Sequence, residues 1–389
     1  MKSTVRLARI MMLASLILYL CMGNLTVSAL EINGKAALLM DNRSGRILFE
    51  YNSTEKLPVA SITKLMTLTI ILEAIDRGEL SFTDVVSTSP FAASKRGSRV
   101  WLETGEQLPL KEMLYAIAVG SANDAATAAA EFAAGTEEEF TALMNQRARE
   151  LGLMDTTFVN SSGLPIEGRE VQGMTALDVA RLAQHALTVP HMMEFVSTYE
   201  YTMRADSTKI PVLWNSNKLL RRYQGVDGLK TGFTTEAGYC MAATAERQGL
   251  RLTAVVLGCK TDSERESDIR SLLDYGFRKY HNYVLMEKGS PAGEAFCKTG
   301  HPYTFDLILG EDFSVTIERG RESEISAVVE INENLSAPIK QGTPIGSVTA
   351  LYGDEVLGTV PLTVITEIKK ANLLTLILRM THAMVQALF

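Results

Sequence analysis

The chain has 389 residues, 46% of them hydrophobic and 21% charged, with a formal net charge of −7. That is enough chain for two domains and a large core, and the acidic balance makes it a poor nucleic-acid binder. Five scattered histidines and the lack of a Cys-x-x-Cys pair give no metal-ligand spacing, so no metal and no cofactor are expected.

The N-terminus carries Lys2, Arg6 and Arg9, then an apolar run from Ile10 to Met22, then Val27, Ser28 and Ala29. This is the layout of a secretory signal peptide, residues 1–29, cleaved after Ala29. An uncleaved anchor is the weaker alternative, because the run is short for a membrane span. Cys21 lacks the preceding small residues of a lipoprotein signal. Cleavage would remove three basic and no acidic residues, taking the net charge from −7 to −10. Cys240, Cys259 and Cys297 would remain, an odd number that excludes a full disulfide framework.

"KAALLMDNRSGRILFEYN" reads as a hairpin around an Asn-Arg-Ser-Gly turn. Residues 61 to 77 read as a helix whose middle, Leu65 to Leu72, is apolar on nearly every side and therefore buried. Residues 110 to 190 read as mainly helical, with Thr175 and Asp178 forming a capping-box-like start. "YCMAATAERQGLRLTAVVLG" predicts two strands joined near Gln248-Gly249, and "SERESDIRSLLDYGFRKY" a helix after them. Hairpin and helix at both ends, with helices between, predict one α/β (α+β) domain over 30–283. Its antiparallel sheet draws on both chain ends. From 284 to 365 short alternating strands with Gly and Pro turns predict a separate small all-β domain. In the tail, 366–389, Asn372, Thr375, Arg379, His382 and Gln386 form one polar stripe among apolar residues. That pattern predicts an amphipathic helix lying in a membrane surface. The alternative is a helix docked on the protein's own core.

Two Ser-x-x-Lys matches occur. Ser53/Lys56 lies in a polar connection before Pro58 and reads as a solvated loop. Ser61/Lys64, in "PVASITKLMT", lies at the first turn of the buried helix, where a spacing of three puts both side chains on one face. A lysine there opposes the helix dipole and is desolvated, and both effects favour its neutral form. A neutral lysine can take a proton from a serine hydroxyl; the bland alternative is a capping serine and an outward-pointing lysine. Ser121-Ala122-Asn123 sits between two helices, where either Ser121 or Asn123 could instead be an N-cap. Lys230-Thr231-Gly232 leads into the late hairpin and offers a cation and a hydroxyl to an anion. A second match, Lys298-Thr299-Gly300, lies in the β domain without a Gly-rich entry.

These motifs, in this order, resemble the set of the penicillin-binding proteins and β-lactamases. The chain is similar to the low-molecular-mass penicillin-binding proteins that are serine D-alanyl-D-alanine carboxypeptidases, over its catalytic domain, β domain and terminal helix. The resemblance implies a penicillin-binding/β-lactamase-like catalytic domain with an antiparallel sheet and a helical cluster. It implies Ser61 as nucleophile, Lys64 as acylation base, Ser121 as proton relay and Asn123 as holder of a substrate peptide oxygen. Lys230 would support the proton network and, with Thr231 and Gly232, bind the substrate carboxylate. The N–H groups of Ser61 and Phe233 would form the oxyanion hole. Arg265 resembles an arginine that some members use for the carboxylate, and a second arginine of some members is replaced near Ser216. The middle motif reads Ser-Ala-Asn where the family pattern has Ser-Asp-Asn. The implied partners are peptidoglycan stem peptides, β-lactam antibiotics as inhibitors and the outer face of the cytoplasmic membrane, with an exported location. A D,D-endopeptidase, a β-lactamase and a non-catalytic wall-binding scaffold are the competing readings.

Overall fold

The computed structural model describes residues 30–166, 168, 172–204 and 212–388, so the expected leader lies outside the described residues. The N-terminal hairpin forms as β1 (Ala36–Asp41) and β2 (Ile47–Tyr51), and the late strands are β3 (Val226–Thr234), β4 (Gly238–Arg247) and β5 (Leu250–Cys259). They make one antiparallel sheet in the order β2-β1-β5-β4-β3. Both chain ends of the domain therefore meet at the β1–β5 pairing. Every residue of β1 is buried, which suits a strand covered on both faces. Ala36, Leu38 and Met40 enter the helical core, while α6 (Asp262–Lys279) packs against the sheet as well. Thr261 and Glu264 close a capping box at the start of α6.

The helical cluster comprises α1 (Lys64–Asp76), α2 (Leu110–Ala118), α3 (Asn123–Ala134), α4 (Glu137–Glu150) and α5 (Ala176–Ala186). α1 is the central element: Leu65, Met66, Leu68, Ile71 and Leu72 are all buried. Its apolar residues lie on every side because helices and sheet surround it. The expected helix start at residue 61 is a 3₁₀ turn, Ala60–Thr63, and α geometry begins at Lys64. Thr175 caps α5 as expected, accepting the Asp178 N–H at 3.0 Å. Short chain between α2 and α3 leaves Ser121 at φ 55°, and the residue flanking α3 is Ala122 with no side-chain cap. Neither Ser121 nor Asn123 is thus an N-cap: Ser121 lines the cleft, and Asn123 bonds Lys64 and the Arg96 carbonyl instead.

Beyond α6 the chain changes partners at Tyr280. Strand β6 (Tyr280–Met286) straddles the expected 283/284 boundary and pairs with β9 (Phe313–Glu318). Five further strands are β7 (Pro291–Phe296), β8 (Thr304–Leu309), β10 (Ile325–Ile331), β11 (Pro344–Tyr352) and β12 (Glu355–Val364). They form a five-stranded sheet in the order β7-β8-β12-β11-β10 around a separate core that includes Leu307, Phe313, Val348 and Leu362. The β1–β2 turn reaches this domain: Arg43 bonds Ser314 and Asn282, and Arg46 bonds the Thr316 carbonyl at 3.1 Å and Glu355 at 2.8 Å.

The terminal helix α7 (Leu373–Leu388) starts later than residue 366, because Lys369–Lys370 pair with Gly300–His301. Leu373, Leu374, Ile377, Leu378 and Met380 are exposed. Arg379 donates to the Lys298 and Gly300 carbonyls. The side chains of His382 and Gln386, and residue Phe389, lie outside the described set. Among the described residues no helix is long and apolar enough to cross a membrane.

Candidate active site

Ser61 sits on the 3₁₀ turn, and Lys64 opens α1 one turn later with its side chain fully buried. Lys64 Nζ stands 2.9 Å from Ser61 Oγ, 2.6 Å from Asn123 Oδ1 and 2.6 Å from the Ser162 carbonyl oxygen. Its pKa is well below the ordinary lysine value: burial is the largest cause, and Lys230 adds charge repulsion, opposed in part by Asp124 and Glu137. Asn123 is held in turn, accepting from Lys64 and donating Nδ2 to the Arg96 carbonyl at 2.6 Å.

Lys230 projects from β3 and donates to Ser121 Oγ at 2.9 Å and to the Thr231 carbonyl at 3.1 Å. Burial, then the charge of Arg265, brings its pKa down to about 7. Thr231 is buried and shares a short hydrogen bond with Ser216. Gly232 lets β3 lie against the serine turn: a Cβ there would stand 2.5 Å from the Val59 carbonyl oxygen and 3.1 Å from the Ser61 nitrogen. Phe233 follows, exposed and tilted over Tyr239 with ring centroids 4.3 Å apart. Ser61, Ser121, Thr231, Phe233 and Arg265 line a single cleft of about 460 Å³. The sheet supplies Thr231 and Phe233, α6 supplies Arg265, and the helical side supplies the Ser61 and Ser121 hydroxyls.

The profile of the D-alanyl-D-alanine carboxypeptidase family matches residues 24–261, and that of the penicillin-binding protein 5 C-terminal domain matches 280–370. The D-alanyl-D-alanine carboxypeptidase DacF of Bacillus subtilis is 38% identical over 353 residues, 90% of each chain. The chain belongs to the D-alanyl-D-alanine carboxypeptidase family. It is a serine-type D-Ala-D-Ala carboxypeptidase with a penicillin-binding protein 5-like build. Penicillin-binding protein 5 from Haemophilus influenzae superposes with TM-score 0.74 at 29% identity, covering 88% of this chain and all of that one. Penicillin-binding protein D2 from Listeria monocytogenes, solved in an ampicillin-bound form, superposes with TM-score 0.58 at 34% identity. It covers 64% of this chain and 99% of its own.

In this carboxypeptidase Arg265 lies at the edge of the cleft on α6 and is buried. It pairs with Asp262, which also takes Lys218 at 2.8 Å. Its guanidinium carbon lies 5.7 Å from the Tyr239 ring, and its Nε is buried without a partner among the described residues.

The two decoy motifs hold local structure. The Ser53/Lys56 segment is a turn exposed at Thr54, Glu55 and Lys56, as expected, but Ser53 itself is buried and donates to Glu50 at 2.6 Å, while Lys56 bonds Thr157. Thr299 accepts the Ala337 N–H inside the β domain. Sequence reasoning missed Ser162, whose contribution is a backbone carbonyl, and Trp214, which lines the cleft. It met Ser216 only as the site of a missing arginine; the hydroxyl bonded to Thr231 is what stands there.

Proposed function

We propose that this carboxypeptidase removes the terminal D-alanine from peptidoglycan stem pentapeptides through an acyl-enzyme on Ser61. The three-way bonding of Lys64 Nζ carries the reading. A neutral lysine has two N–H groups and one lone pair. Two N–H bonds go to the Asn123 and Ser162 oxygens, so the lone pair is left for the Ser61 hydroxyl. Burial favours that neutral form.

Ser61 Oγ attacks the carbonyl carbon between the two D-alanines, and Lys64 takes the hydroxyl proton. The N–H groups of Ser61 and Phe233 receive the negative charge that gathers on the carbonyl oxygen. The tight approach of β3 to the serine turn at Gly232 supports this pair. Ser121, bonded to Lys230, passes a proton to the departing D-alanine nitrogen. Asn123, which also accepts from Lys64, holds the substrate's peptide oxygen. Lys230, Thr231 and Arg265 take the terminal carboxylate. Water then cleaves the ester and frees Ser61.

A β-lactam resembles the D-Ala-D-Ala end, acylates Ser61 and leaves slowly because its leaving group stays tethered. The protein acts outside the cytoplasmic membrane after loss of residues 1–29, with the exposed apolar side chains of α7 in the membrane's outer face.

D-alanine release from a pentapeptide ending in D-Ala-D-Ala tests the reading, with Ser61→Ala beside the unaltered enzyme. Release that vanishes in the variant supports it; release that persists removes Ser61 from the mechanism.

A further inference from the structure

Both acceptors that hold Lys64 come from outside α1: Asn123 opens α3, and Ser162 lies in the segment 160–163. Asn123 is gripped by the segment 95–102. The Arg96 carbonyl accepts its Nδ2, the Ser98 carbonyl accepts its backbone N–H at 2.7 Å, and Asp124 accepts the Val100 and Leu102 N–H groups. Gly97 lets this segment lie close, since a Cβ there would stand 2.9 Å from Asn123 Nδ2. The Ser162 carbonyl belongs to a second segment, 160–163, folded around Asn160 Oδ1, which accepts the Ser162 and Gly163 N–H groups.

One buried carboxylate joins the two. Glu137, at the first turn of α4, accepts Lys95 Nζ on Oε2 at 2.6 Å. Its Oε1 accepts the Ser161 hydroxyl at 2.6 Å, the Ser161 N–H at 3.2 Å and the Thr127 hydroxyl at 3.0 Å. The Ser161 carbonyl in turn accepts the Thr67 hydroxyl of α1 at 2.6 Å. Glu137 is 5% exposed and Ser161 and Ser162 are buried, so losing the Ser161 bonds would leave buried polar groups unsatisfied, whereas the Lys95 side chain is partly exposed. The helix N-terminus favours the negative charge there.

We propose that Glu137 is a positioning residue for acylation. By tying Lys95 to Ser161 it fixes, in one stroke, the two segments that present the Asn123 and Ser162 oxygens to Lys64. It thereby aims the lysine lone pair at Ser61. The inference rests on Lys64 being the base of the proposed function. An ion pair with only a structural role would lower stability and leave the chemistry of the folded enzyme alone.

The test measures the second-order rate of acylation by a fluorescent penicillin across pH, together with the melting temperature, for full-length Glu137→Gln and Glu137→Asp. For Glu137→Gln the expected result is a loss of about tenfold or more in the rate of the folded enzyme. Its acidic limb moves to lower pH, because a carboxylate that favours the Lys64 ammonium is gone. Glu137→Asp keeps the charge, so its limb stays while its shorter reach slows acylation. A folded Glu137→Gln with unaltered rate and unmoved limb overturns the proposal, even if it melts lower. If Glu137→Gln does not fold, Glu137→Asp decides alone: slowed acylation supports the proposal and an unaltered rate overturns it. Lys64→Met run alongside separates the two readings. Acylation that survives in it sinks Lys64 as base; a dead Lys64→Met with an unaltered Glu137→Gln sinks only the inference.

Discussion

Lys230 Nζ stands 2.9 Å from Ser121 Oγ, the same separation as Lys64 from Ser61, and the bond runs from the sheet to the helical cluster. Holding that ammonium out of water is costly. With a folded pKa near 7 against the ordinary 10.5, the penalty is full below about pH 7 and vanishes as pH rises toward the ordinary value. Lys230→Met should therefore melt higher than the unaltered enzyme at neutral pH, by an amount that shrinks at alkaline pH. Its D-alanine release should fall by roughly 100-fold or more. Calorimetry at several pH values, with the release assay, checks both signs.

Arg265 depresses the pKa of Lys230 by charge repulsion. Arg265→Gln removes that repulsion, so Lys230 should hold its proton to higher pH. The pH at which carboxylate binding weakens should move up. KM for the pentapeptide should rise about tenfold, equivalent to roughly 1.4 kcal/mol, with a smaller change in kcat. A pH series of KM reads this directly; a shift to lower pH would contradict the charge argument.

Gly163 is where the Ser162 segment touches the serine turn. Its φ is +87°, and a Cβ would stand 2.0 Å from the Ala60 carbonyl oxygen and 3.0 Å from Thr63 Oγ1. The Ala60 oxygen belongs to the backbone and cannot rotate away. Gly163→Ala should cost about 2–4 kcal/mol and slow acylation of whatever remains folded. Denaturant melts and penicillin labelling at low temperature separate the two losses.

Leu374 and Ile377 are exposed on α7, 68% and 49%. Leu374→Asp with Ile377→Asp should release the protein from anionic lipid vesicles while leaving pentapeptide cleavage by the free enzyme unaltered. Co-sedimentation with and without the two changes tests it.

The parts of the site that were legible in sequence are those whose side-chain chemistry comes with a local backbone demand. Ser61 and Lys64 lie one turn apart at the mouth of an all-apolar helix, and Lys230-Thr231 is followed by the glycine that the serine turn requires. The antiparallel sheet was legible from apolar runs flanked by turn residues at both ends of the domain. What stayed hidden comes from distance in the chain. Ser162 acts through a carbonyl that any residue would supply, and Glu137 and Lys95 are 42 residues apart, so their pairing appears only in the folded chain. Ser121 looked equally able to cap α3; its positive φ turns the hydroxyl toward Lys230 instead. The tail was read as helical from residue 366, but Lys369–Lys370 are drawn into pairing with Gly300–His301 before the helix begins.

The position of β5 in the sheet has a consequence for how the enzyme comes into being. It lies between the β1–β2 hairpin and the β3–β4 hairpin and pairs with a strand of each. A chain emerging from its N-terminus has delivered Ser61, Lys64, Ser121, Asn123 and Lys230 before any of β5, which begins at Leu250, exists. Until then the segment carrying Ser61, which follows the β1–β2 hairpin, and strand β3, in the other hairpin, lack the strand that pairs with both hairpins. Closure must wait for contacts more than two hundred residues apart, the kind that form slowly because the chain entropy is spent first. Until β5 is made, the reactive groups of the site exist without the strand that brings their two hairpins into one sheet.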